Sequence, residues 1–421
     1  MQFRTTARRL GPAVTAVLAV TALGAGTLAT APTAFAATAV VPLTIGQVNV
    51  PAVAEIDKTE GRVTMEWTLS RADANLDVTI THVATGKKIT QRLTAPRYST
   101  VFSFTWKPIF EEQDAESLSE VDAPNGAYTV AVKATPDAGG GTPVYKTSKM
   151  NIARAFNPHD FNDNGSTDVL ARDSSGDLWR SDLSDRAYHG EIRLAKTTRI
   201  GSGWGVYKQI EAVGNIAGSK HGDLIALDGS GVLWQYQGKG DGGFATRVRV
   251  GSGWGGYNKL AGGSDLNGDG RPDLVGTDGT GTLWFYKGTG SATAPFATRV
   301  KVGGGWGVYN HLTAVGNIAG TSAGDLVARD TSGVLWLYQG NGSGKFDTRV
   351  QVGGGWGVYR QLVGAGDLDN DGRPDLIAYG TSGQYGSYVY RSTGSTEAAT
   401  PFIRRLTNLF SYQGRSYNSV V

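Results

Sequence analysis

The sequence contains no cysteine, which excludes thiol nucleophiles, disulfide staples and thiolate-bound zinc. Histidine is scarce: the five residues His82, His159, His189, His221 and His311 are scattered, with no His-x-x-x-His or comparable ligand pair. They read as surface or turn residues rather than as catalytic bases. No stretch reads as a long helix, and beyond residue 36 no apolar run approaches the ~18 residues needed to cross a bilayer. A charge excess is also missing. The formal charge is +3, and the first 36 residues hold three arginines and no acid, so the remainder is formally neutral. Nucleic-acid binders usually carry a basic excess, so that class is not expected. Stability must then come from packing, sheet closure and, where ligands allow, metal.

The N-terminal segment has the layout of an export signal. Arg4, Arg8 and Arg9 form a basic stretch, Ala13 to Ala31 is apolar, and Ala34-Phe35-Ala36 offers a small-x-small cleavage site. Residues 1–36 are expected to be a signal peptide, with Ala37 as the mature N-terminus and a secreted, extracellular location, of the bacterial kind. The Arg8-Arg9 pair raises the twin-arginine route beside the general one, although the residues after it fit that route poorly.

What the sequence has in abundance is glycine, 61 residues, together with 10 Trp and 17 Tyr. Much of this is periodic. Thr-Arg-(Val/Ile) followed by Gly-x-Gly-Trp-Gly-x-Tyr occurs four times, with its tryptophans at Trp204, Trp254, Trp306 and Trp356, spaced 50, 52 and 50 residues apart. A Leu-Trp motif gives Trp179, Trp234, Trp284 and Trp336, with a degenerate fifth copy at Ser387-Tyr388-Val389-Tyr390. A third motif begins at Asp160, Asn215, Asp265, Asn317 and Asp367. Each of the five repeats reads as four short strands; in the fourth these are residues 311–316, 325–330, 334–338 and 348–352. A period near 50 with four strands per unit indicates a β-propeller. The chain end Tyr417-Asn418-Ser419-Val420-Val421 resembles Tyr257-Asn258-Lys259-Leu260-Ala261, which opens an innermost strand, whereas Phe156-Asn157-Pro158 contains a proline that cannot donate to a central ladder. The last strand is therefore expected to pair with residues 168–172 and complete the first repeat. The fold expected is all-β: a five-bladed propeller over 154–421, preceded by a small Ig-like β-sandwich over 37–153.

That front region lacks the repeat. Runs such as Val63–Leu69 alternate apolar and polar residues, and 76–81, 101–106, 128–134 and 145–152 are also strand-like, which fits a sandwich. Asn125-Gly126 and residues 137–141 suit hairpin turns. Residues 108–124, with Glu111, Glu112, Asp114, Glu116, Glu120 and Asp122, read as an acidic, solvated loop.

The acidic loops carry the clearest chemistry. Asp265-x-Asn267-x-Asp269-Gly270-x-x-Asp273 and Asp367-x-Asp369-x-Asp371-Gly372-x-x-Asp375 are full copies, and Asp160-x-Asn162-x-Asn164-Gly165-x-x-Asp168 is a less charged one. Alternate oxygens in a tight loop suit Ca²⁺, which takes six to eight hard oxygen ligands. The glycine at position six permits the positive φ that turns the loop back. Position twelve is Ala171, Gly276 or Ala378 rather than the Glu of an EF-hand, and strands flank the loop. Loops two and four keep Asp223 and Asp325 but lack the intervening acids. Three calcium ions are expected, in repeats one, three and five, each fastening the turn between two strands. The competing reading is that Asp/Asn/Gly loops are simply good turns.

Residues 265–273, followed by Leu274-Val275 and Leu283-Trp284-Phe285-Tyr286, resemble the FG-GAP/VCBS repeat family, to which integrin α-subunit propellers and several lectins belong. The resemblance covers the five repeats and implies calcium in the acidic loops and a role in sugar, protein or matrix recognition. Gly-Trp-Gly-x-Tyr is similar to the tachylectin-like five-bladed lectins, and Asn125-Gly126-Ala127-Tyr128-Thr129-Val130 resembles the FlgD Ig-like domain.

The pairs Trp204/Tyr207, Trp254/Tyr257, Trp306/Tyr309 and Trp356/Tyr359 are the candidate ligand residues. Flanking glycines leave little side chain to cover the indole, so one face could meet a sugar; the alternative is that each Trp packs one repeat on the next. The Leu-Trp residues read mostly as core. Gly320-Thr321-Ser322-Ala323-Gly324 matches G-x-S-x-G but lacks the strand–turn–helix setting of a nucleophile elbow. The reading is a monomeric secreted binding protein, not an enzyme, whose partner is a carbohydrate or cell-envelope ligand, or alternatively a protein.

Overall fold

The computed structural model describes residues 41–94, 99–113, 118–137, 141–186, 191–369, 371–380, 386–395, 400–405, 409 and 416–421. The proposed signal segment, Asp114 and Glu116 lie outside them. No helix among the described residues is long and apolar enough to cross a membrane.

Strand alternation builds the N-terminal domain. Val63–Leu69 and Ala74–His82 bury every second residue, the pattern of a sheet with one face on a core. One sheet takes Ile45–Asn49, Val63–Leu69 and Val101–Trp106; the other takes Val53–Glu55, Val144–Ala153, Gly126–Pro136, Ala74–His82 and Lys88–Thr94. Both contribute to one core that includes Met65, Trp67, Leu76, Ile80, Phe102, Tyr128 and Ile152. The acidic stretch is not a plain loop: Ile109–Gln113 pairs with Leu118–Asp122 as a hairpin. Phe110 and Val121 are buried, and this anchors a segment whose charges had suggested only solvation. Glu112 lies between Lys87 and Lys196, the latter 2.6 Å away on the first repeat. Arg154 donates to Ala123 O at 2.8 Å, and Asn125 Nδ2 donates to Asp163 Oδ1 at 2.9 Å.

The repeats form five four-stranded antiparallel sheets among the described residues. The fourth runs Tyr309–Gly316, Asp325–Asp330, Leu335–Tyr338 and Val350–Gly353. The first sheet takes its innermost strand from the chain end: Tyr417–Val420 pairs with Asp168–Asp173, and Val420 stands opposite Ala171. Leu170 and Val421 exchange two backbone hydrogen bonds of 2.8 Å. Each sheet packs on the next. One core joins Leu170 and Leu178 to Tyr207, Ile210 and Leu224, and three similar cores follow. The last joins Val363, Ile377 and Val389 of the fifth sheet to Val169, Ala171, Tyr417 and Val420 of the first.

Backbone contacts lock the junctions. Trp254 N donates to Gly231 O of the preceding sheet at 3.0 Å, and a Cβ on Gly231 would sit 2.9 Å from Gly255 N. Trp204, Trp306 and Trp356 make the same bond, to Gly176, Gly281 and Gly333. The Gly before each Trp holds φ between 86° and 88°, a left-handed value that other residues rarely adopt. Gly-Trp-Gly is thus a joint between sheets.

Candidate functional site

The last Asp of every acidic loop faces inward and accepts backbone N–H groups. In loop two Asp223 Oδ2 accepts from Ile216 and Ala217 at 3.0 and 2.9 Å, and Oδ1 accepts from Gly238 at 3.0 Å. Asp325 does the same with Ile318, Ala319 and Gly340. Asp273 and Asp375 each accept one bond from the loop and one from the end of the third strand. Since loops two and four lack the other acids, this Asp serves the fold wherever it occurs. Burial pushes Asp223 and Asp325 up to about 6 and Asp273 and Asp375 up to about 7.

The three full loops differ in what they gather. Their position-six glycines have φ of 86°, 84° and 86°, as the spacing requires. In loop five, carboxylate oxygens of Asp367, Asp369 and Asp375 all lie within 4.8 Å of one another. Both oxygens of Asp369 are buried and accept no backbone hydrogen bond, and one of them is ion-paired with Arg391. Clustered carboxylate oxygens are what a hard divalent cation needs, so Asp367, Asp369 and Asp375 fit calcium, with Asp371 beside them.

Loop three is held by its own backbone. Asp265 accepts from Gly268, Asp269 and Gly270, and Asp269 pairs with Lys287 at 2.8 Å. Asn267 Nδ2 leans on Asp273 at 3.3 Å.

Loop one is closed by a residue that spacing did not reveal. Asn162 and Asn164 each donate to Asp182 Oδ2 at 2.9 Å, and Ser166 donates to Oδ1 at 3.0 Å. Its amides therefore act as donors to a buried carboxylate. Burial raises Asp160 to about 7 and also raises Asp168, which pairs with Arg180 at 3.5 Å. Among the described residues, only loop five assembles three carboxylates at ligand distance.

The four candidate indoles are 6–8% exposed, so the flanking glycines do not leave a ring face open. Each ring packs on the third-strand Tyr of its own sheet, with centroids 4.4–4.6 Å apart: Trp204 on Tyr236, Trp254 on Tyr286, Trp306 on Tyr338 and Trp356 on Tyr390. The candidate tyrosines Tyr207, Tyr257, Tyr309 and Tyr359 are buried as well, and the exposed groups beside them are arginines. The hydroxyls of Tyr257, Tyr309 and Tyr359 lie 2.6 Å from those of Tyr286, Tyr338 and Tyr390. Arg299 and Arg349 donate to the Tyr257 and Tyr309 hydroxyls and lie over Trp284 and Trp336, 4.0 and 4.1 Å from the ring centroids. Arg247 does likewise with Tyr207 and Trp234. Those Leu-Trp indoles are only partly buried, against the expectation of core, and each is fixed by Nε1 donating to Asp228, Asp278 or Asp330.

In the fifth sheet Arg404 lies over Tyr388, 5.0 Å from its centroid. There a groove of about 430 Å³ opens, lined by Gly354, Trp356, Tyr359, Tyr390, Phe402 and Arg404 among others.

Three histidines are not the surface residues that their scatter suggested: His82 is buried in the N-terminal domain, His159 is buried and His311 is half-buried. His159 and His311 border a cavity of about 50 Å³ with Glu211, Thr313, Gln361 and Val421, residues that come from the inner strands or the loop of several sheets. This space holds a few water molecules rather than a sugar. Burial lowers both histidines to about 4 and raises Glu211 to about 8. A base depressed on folding contributes stability that is full above its unfolded value near 6.5 and is lost as pH falls toward 4. Between those pH values a His159→Asn/His311→Gln variant is expected to lose less stability than the unaltered chain, by on the order of 2–3 kcal/mol per histidine. Urea midpoints at pH 7 and pH 4.5 measure this difference; parallel losses would refute it.

Residues 323–378 match the FG-GAP-like repeat family, a span that ends just past loop five. Among solved structures, the BP39L lectin from Burkholderia pseudomallei aligns with a TM-score of 0.37 and 13% identity, over 84% of this chain and 96% of that chain. Sqt1 from Saccharomyces cerevisiae aligns with a TM-score of 0.30 and 11% identity, over 88% of each chain. Sqt1 from Chaetomium thermophilum gives 0.28 and 11%, over 86% of this chain and 88% of that one. No curated protein matches the chain.

Proposed function

We propose that this chain is a secreted, calcium-stabilised binding protein that holds saccharides in grooves repeated at its sheet junctions. The observation that carries the reading is the groove beside Trp356, because its Tyr–Tyr–Arg set recurs at the three preceding junctions. Saccharides are bound by a few convergent hydroxyl and guanidinium groups set on an apolar wall, and this groove supplies both. Several weak copies gain avidity when they engage one glycan-bearing surface.

The five sheets are read here as the blades of a closed propeller, with the chain end completing the first. The cores that link each sheet to the next, and the fifth to the first, support that reading. Polar groups converge in the central cavity, but it is too small for a substrate, so the reading of a binding protein rather than an enzyme rests on the repeated grooves.

Glycan-array binding tests the proposal. Retention of particular glycans is expected, with at least a tenfold loss for a combined Arg299→Ala, Arg349→Ala and Arg404→Ala variant, since each lost charged hydrogen bond costs about 1.5–3 kcal/mol. Glycan binding unchanged in that variant would remove the grooves from the proposal. No glycan retained at all would favour a protein partner.

A further inference from the structure

One position in each sheet looks down on the acidic loop, and its charge follows the loop. It is the residue just before the backbone N–H that bonds the last loop Asp in sheets two to five. These N–H groups belong to Gly238, Gly288, Gly340 and Ser392, so the positions are Gln237, Lys287, Gln339 and Arg391. In the first sheet the register sets Asp182 opposite Asp168. Loops two and four, which keep only their last Asp, have Gln237 and Gln339 at this position. Loop one, with amides at its third and fifth positions, is faced by the carboxylate of Asp182, which those amides bind. The acid-rich loops three and five are faced by cations. Lys287 Nζ lies 2.8 Å from Asp269 Oδ2. Arg391 pairs with Asp369 through Nε and with Asp371 through Nη2 at 3.2 Å.

We infer that Lys287 and Arg391 are resident counter-cations, which neutralise loops three and five without metal and must be displaced before a divalent ion can bind. The inference rests on the calcium reading of those loops. Carboxylates gathered within 4.8 Å repel one another unless a positive charge lies among them. A guanidinium can supply that charge from the same strand that fixes Asp375. It also occupies the lone pairs of Asp369 that a metal would use, so ion and side chain exclude each other. Arg391 holds the stronger grip, because Asp369 is 5% exposed whereas Asp269 is 24% exposed. The same strand position thus sets calcium affinity loop by loop.

The test is calorimetric titration of calcium into the chain from residue 37 onward, in the unaltered form and as Lys287→Gln and Arg391→Gln, with thermal unfolding in chelator run alongside. Lys287→Arg and Arg391→Lys keep the charge and control for folding. Calcium affinity is expected to rise about tenfold in Arg391→Gln and about threefold in Lys287→Gln, while both variants unfold at lower temperature than the unaltered chain in chelator. The charge-keeping variants should bind as the unaltered chain does. Equal affinity in all forms overturns the inference and leaves the calcium reading standing. Calcium binding by the glutamine variants alone supports the inference and overturns the calcium reading of the unaltered chain. No binding by any form overturns both.

Discussion

Removal of residues 416–421 is expected to unfold the repeat region or to lower its melting temperature by more than 10 °C. These residues supply the innermost strand of the first sheet. Tyr417, Val420 and Val421 are buried, in cores shared with the fifth and second sheets. Burial of three such side chains contributes about 5–8 kcal/mol, which is comparable to the whole stability of many domains. The cut also leaves the strand 168–173 with an unpaired inner edge, a template for association with other chains. Calorimetry and size-exclusion chromatography of the truncated chain measure both effects. A monomer that melts within 3 °C of the full chain would mean that the terminal strand is dispensable.

Asp223→Ala should be the most damaging single substitution in an acidic loop, although loop two carries no calcium motif. It strands three buried backbone N–H groups, at about 1–3 kcal/mol each, for a total of about 3–9 kcal/mol. Asp325→Ala should match it. Asp369→Ala should behave in the opposite way. Asp369 is held by the Arg391 ion pair rather than by backbone N–H groups, so in chelator the variant should lose much less stability than Asp223→Ala, and it should also lose its response to calcium. Melting curves of the three variants with calcium and with chelator separate fold staple from ion ligand. Equal damage from Asp223→Ala and Asp369→Ala would erase that distinction.

The repeats were legible because they are local: glycine turns and strand alternation recur every 50 residues or so, and the terminal strand betrayed itself by its likeness to residues 257–261. The carboxylate cluster of loop five was legible for the same reason, since alternate residues in one tight loop must meet. What escaped depends on pairing between strands. Lys287, Arg391 and Asp182 lie 14 to 16 residues beyond the loops they face, and only the antiparallel register brings them there. The arginine of Thr-Arg-Val was visible as a repeat, but its place over a tryptophan needs the third and fourth strands side by side. Of the two readings of the Gly-Trp-Gly tryptophans, burial favours packing over an open ring face. Sequence neighbours do not cover them, whereas a tyrosine from the third strand and the backbone of the preceding sheet do.

The seam of the first sheet also sets a clock. Arg172 bonds Asn418, 246 residues further along the chain. At about 5–20 residues per second, the partner of that strand emerges from the ribosome some tens of seconds after it. Throughout that interval the inner edge at 168–173 has no native partner, and contacts so distant in sequence form slowly even when both ends exist. The edge stays open until Tyr417–Val420 arrives to pair with it, and a holding factor that shields 168–173 over that interval is expected to raise the yield of folded chain.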